Sequence, residues 1–91
     1  MTKVYCLTEK DDNQLFMNLT SMSEWLNGKN PIGKKFRTLD GIMYDITTEN
    51  LSTVLEESKK TGICPVIRII QDFGITTVTT DYTISVFKAH D

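Results

Sequence analysis

The spacing of apolar and polar residues changes several times along this chain, and the changes outline its elements. The richest stretch spans residues 63–88. Its first part, 63–70, is almost continuously apolar and β-branched, broken by Cys64-Pro65 and Arg68. That pattern predicts a strand buried on both faces. Its second part alternates, with Val78, Thr80, Tyr82, Ile84 and Val86 pointing one way and Thr77, Thr79, Asp81, Thr83 and Ser85 the other. Such alternation predicts a half-exposed strand. Gln71-Asp72-Phe73-Gly74 between them carries turn chemistry, so a hairpin is expected at the centre of a sheet.

Upstream, residues 3–8 (KVYCLT) and 14–20 (QLFMNLT) read as strands joined by the polar turn Glu9-Lys10-Asp11-Asp12-Asn13. Ser21 then opens an S-x-x-E capping box with Glu24. Met22, Trp25 and Leu26 share one side of the short helix that follows, and Asn27-Gly28 supplies its stop. A helix of two turns does not hold alone, and Trp25 is expected to pin it to the core. Residues 29–33 read as loop.

Residues 34–39 and 42–47 flank Asp40-Gly41, a strong signal for a two-residue type I′ hairpin. That turn sets Leu39 against Ile42 and Arg37 against Tyr44. Leu39, Ile42, Tyr44 and Ile46 then form the core face, and Phe36 and Met43 a partly exposed patch on the other. Thr48 is the expected N-cap of a second helix, roughly residues 49–61, with Leu51, Val54 and Leu55 at i, i+3, i+4, lysines in its last turn, and Gly62 as its C′ residue. The order β-β-α-β-β-α-β-β predicts a single α+β domain over residues 1–91. Its sheet is mainly antiparallel, of five or six strands, with two helices on one face.

Composition adds little to this picture. The 91 residues are 40% apolar and 24% charged, ordinary for one small globular domain, and the thirteen threonines favour strand. The first residues turn polar too soon for a signal peptide, and no window reaches the length of a membrane span. A cytoplasmic location is therefore expected. Cys6 and Cys64 lie far apart with no CxxC, and both are expected as small hydrophobes in strands. Charge is more telling. Residues 29–37 hold Lys29, Lys34, Lys35 and Arg37 with no acid, while the whole chain carries −2.

Candidate chemistry is sparse. Gly28 to Lys34 spell G-x-x-x-x-G-K, but Lys35 stands where a phosphate-binding loop needs Ser or Thr, and the segment follows a helix stop and opens a strand. The match is coincidental. His90 is the lone histidine, beside a terminus, and no metal-ligand spacing or nucleophile elbow occurs. No enzyme, no cofactor and no metal is expected. Arg68, inside the most apolar strand, is expected at the solvent face or paired with Asp45 or Asp81, because an unpaired buried guanidinium is costly.

The expected function is that of a small protein-binding module, an inhibitor, adaptor or regulatory subunit of a larger macromolecule, as phages and mobile elements often encode. The candidate contact residues are Lys34, Lys35, Phe36, Arg37, Met43, Tyr44 and Arg68. A homodimer through an edge strand such as 76–88, or through the Phe36/Met43 face, belongs to the same reading. One alternative is nucleic-acid binding through the basic segment 29–37, which the acidic balance of the chain disfavours. The other is a small ligand held between sheet and helices.

Overall fold

The computed structural model of the chain describes residues 2–28 and 35–89. Among these residues six strands form one sheet, all neighbours antiparallel, with two helices in the chain order expected. The strands are β1 (Thr2–Glu9), β2 (Asp12–Phe16), β3 (Lys35–Arg37), β4 (Met43–Asp45), β5 (Val66–Asp72) and β6 (Thr77–Ala89); the helices are α1 (Leu19–Gly28) and α2 (Thr48–Thr61). Their order across the sheet is β2-β1-β6-β5-β3-β4. The β5–β6 hairpin takes the centre, and β6 is paired on both sides. The 76–88 segment is therefore not an edge strand from Thr83 onward, where β1 covers it, and β2 and β4 are the outer strands of the sheet. The expected loop at 29–33, Lys29 and the strand start at Lys34 lie outside the described residues.

One sheet face holds the core. Leu7 lies opposite Ile84, Ile67 opposite Tyr82, and Phe36 opposite Ile69. These residues bury against Met22 and Leu26 of α1 and against Leu51 and Val54 of α2. Trp25 does pin α1, set edge-on to Phe16 at 5.7 Å and to Tyr82 at 6.1 Å. Among the described residues no helix lies over the other face. Hence β5 is buried on its Ile67/Ile69 side alone, while Val66, Arg68 and Ile70 are half-buried. The run 63–70 resembles a fully covered strand because apolar residues also occupy the open side.

Three local expectations shift in the structure. α1 begins two residues before Ser21, because the Asn18 Oδ1 accepts the Ser21 N–H at 2.8 Å and so caps the helix, and β2 ends at Phe16. α2 begins one residue early, with Thr47 as N-cap accepting the Asn50 N–H at 3.1 Å; Gly62 closes it with φ of 73° as expected. The third shift matters most. Arg37 pairs with Met43 and Phe36 with Tyr44. The Thr38 N–H donates to the Ile42 carbonyl and the Gly41 N–H to the Thr38 carbonyl, with Gly41 at φ 88°. This is a three-residue loop, a tight turn followed by a left-handed glycine, not the two-residue turn. One extra loop residue moves the pairing by one, and such a slip reverses which residues of a strand face the core. Phe36 is thereby fully buried, and Leu39 is 85% exposed.

Candidate functional site

The uncovered face is built by alternation. In each strand every second residue must point away from the helices, which puts Leu15 of β2, Val4 and Cys6 of β1, Asp81 and Phe87 of β6, Arg68 of β5, Lys35 and Arg37 of β3, and Met43 of β4 on this side. Four of the seven sequence candidates, Lys35, Arg37, Met43 and Arg68, come together here. Phe36 and Tyr44 do not. They stack on each other at 5.2 Å on the core side, Phe36 fully buried and Tyr44 half-buried. The Phe36/Met43 patch is thus divided between two faces. Lys34 lies outside the described residues.

The register lines up Met43, Arg37, Arg68 and Asp81 across four strands. The Arg68 guanidinium grips Asp81 with two prongs, Nε to Oδ1 at 2.8 Å and Nη2 to Oδ2 at 3.1 Å. These hydrogen bonds hold the Asp81 carboxyl below the usual carboxylate range, and the Arg37 charge adds a weaker pull. Lys35 pairs with Asp45 in the next row. Two of the cations are therefore matched by acids, and Arg37 supplies the excess positive charge among these residues. Such a surface is far less basic than the sequence suggests, which weakens the case for phosphate binding. A groove of about 390 Å³ beside this row is lined by Arg37, Leu39, Val66, Arg68 and Asp81.

The opposite corner of the face is apolar. Leu15 is directly across from Cys6 and Phe87 directly across from Val4. Leu15 is 66% exposed and Phe87 53%. Sequence reasoning passed over both. For Phe87 the signal was available, since it continues the polar phase of Thr77 to Ser85, where a large apolar side chain has no core to enter; β2 does not alternate, and Leu15 carries no such signal.

Other chemistry is thin. Cys6 is a buried small hydrophobe, whereas Cys64 is exposed ahead of β5, and both are free thiols. Among the described residues no group of three or more His, Cys, Asp or Glu side chains is placed to hold a metal ion. A groove of about 570 Å³ lies between α2 and the β1–β6 pair, with Tyr5, Leu55, Ile84 and Val86 in its walls. The buried polar residue among those described, Ser23, does not line it, so the groove lacks the buried polar groups that fix a small ligand. No helix among the described residues is long and apolar enough to cross a membrane. Comparison of the chain with protein-family models, with curated proteins and with solved structures gave no match.

Proposed function

We propose that the chain is a non-enzymatic protein-binding module, the inhibitor, adaptor or regulatory subunit of a larger macromolecule, and that it binds through the uncovered sheet face. One observation carries this reading: Leu15 and Phe87 stand largely exposed on strands of that face, at the corner opposite the arginine row. Exposed apolar area bordered by polar groups marks contact surfaces. Arginine is over-represented among the residues that dominate binding energy, and Arg68 is already held in one geometry by Asp81. The partner that fits is a protein with a flat apolar centre and a carboxylate placed to meet Arg37. That charge would chiefly steer association and fix orientation.

The test is affinity capture with chemical cross-linking from the native host, using wild type, Phe87→Lys and Lys60→Glu. Lys60 is exposed in the last turn of α2, away from this face. A protein captured by wild type and by Lys60→Glu but lost from a folded Phe87→Lys supports the reading. Capture unaffected by Phe87→Lys removes the open face as the site. Capture abolished by nuclease moves the function to nucleic-acid binding.

A further inference from the structure

The central hairpin outruns its neighbour. Pairing of β1 with β6 stops at Thr8 opposite Thr83, and the chain then turns through Lys10 and Asp11 into β2. Residues 77–81 of β6 are thus paired with β5 and, among the described residues, with no strand on the β1 side. The hydrogen-bond phase along β6 is set by the Ile84 N–H, which donates to the Pro65 carbonyl at 2.9 Å on the β5 side. The register from Val66↔Thr83 to Asp72↔Thr77 is unbroken. In an antiparallel ladder successive residues direct their backbone groups to opposite neighbours. Even-numbered residues of β6 therefore bond toward β5, and Thr77, Thr79 and Asp81 aim N–H and C=O into the empty lane.

Asp81 is the one charged residue guarding this short edge, and Arg68 already holds its carboxylate. Natural edges are protected by lysine, proline, a bulge or a covering loop. Residues 77–81 contain no lysine and no proline, and four of the five are β-branched. At the tip beyond them Phe73 is 51% exposed and Ile75 99%. We propose that residues 77–81 form a strand-pairing site, and that its occupant is the same segment of a second copy of this chain. The copy lies antiparallel about a two-fold axis and continues the sheet. The match is self-complementary. A two-fold axis brings the outward groups of one chain against the same groups of the other, so each donor meets an acceptor. The β1–β2 turn closes the lane beyond Asp81, so each tip clears the other molecule's turn when the axis passes at Val78. Thr77 then pairs with Thr79 of the second copy and the reverse, Val78 faces Val78, and the two Asp81 carboxylates are kept apart. This site uses the backbone edge of β6 rather than the side chains of the uncovered face, with which it shares Asp81, and goes beyond the function proposed for that face.

Two readouts test the pairing. Light scattering across a concentration series is run on wild type, Thr79→Pro and Phe87→Lys. Proline at 79 deletes an outward N–H and leaves the bonds to β5, so the dimer dissociation constant should rise at least tenfold in Thr79→Pro and stay unchanged in Phe87→Lys. The second readout is Val78→Cys in a Cys64→Ser background. Facing residues of a non-hydrogen-bonded pair lie within disulfide reach, so mild oxidation should give a covalent dimer, and Thr80→Cys in the same background should not. This readout stands even where Thr79→Pro does not fold. A monomer at every concentration with no Val78→Cys cross-link overturns the proposal. So does a dimer that Thr79→Pro leaves intact; one dissolved by Phe87→Lys alone would assign self-association to the uncovered face.

Discussion

Phe36 stacks on Tyr44 across the β3–β4 pair, with ring centroids 5.2 Å apart and planes 21° from parallel. That contact exists because the connecting loop has three residues, which turns both rings toward the helices. Phe36 is the largest of the fully buried side chains.

Truncating it should therefore be among the most damaging changes to the fold. Phe36→Ala is expected to cost about 3–5 kcal/mol in urea unfolding. Met43→Ala, one residue over and on the open face, should cost well under that. Equal losses for the two would mean that the hairpin pairs in the other register.

The same loop predicts a backbone effect. Gly41 holds φ at 88°, and an added Cβ there would meet nothing within 4 Å, so the cost of a side chain is conformational. Gly41→Ala should lose roughly 1 kcal/mol, and Gly41→Asn less, because asparagine tolerates the left-handed region. Thermal melts of the two variants check the order.

Asn18, not Ser21, caps α1. Asn18→Ala should destabilise the protein by about 1 kcal/mol, while Ser21→Ala should change it by a few tenths. The reverse order would restore the capping box that Ser21 and Glu24 spell.

The Arg68–Asp81 pair carries a pH dependence of known sign. The carboxyl is depressed in the folded chain, so its contribution is present above the ordinary carboxylate pKa and is lost as pH falls through the depressed value. Both groups are near the surface, so the effect on stability is small. The direct measurement is the carboxyl carbon shift of Asp81 by NMR. Its titration midpoint should move upward in Arg68→Ala; an unmoved midpoint would mean that the pair does not persist in solution.

By itself the sequence determined the elements and their order. Alternation over 77–86, the amphipathic spacing of Leu51, Val54 and Leu55, and the stop at Gly62 are local signals, and local signals do not depend on what packs nearby. The 63–88 hairpin was legible for the same reason, but its place between β1 and β3 was not, since the sequence also allowed 76–88 as an edge strand. Tertiary structure decided everything that depends on a neighbour. Whether Asp40-Gly41 sits in a two- or three-residue loop is nearly balanced locally, and burying Phe36 rather than Leu39 is what separates the two registers. The sequence allows Asp45 or Asp81 as the partner of Arg68, and the pairing of β5 with β6 selects Asp81. The free backbone of residues 77–81 is invisible in sequence, because it arises where β1 stops beside β6. The uncovered face likewise exists because both helices pack on the other side, and that choice is made by the summed burial of the whole core.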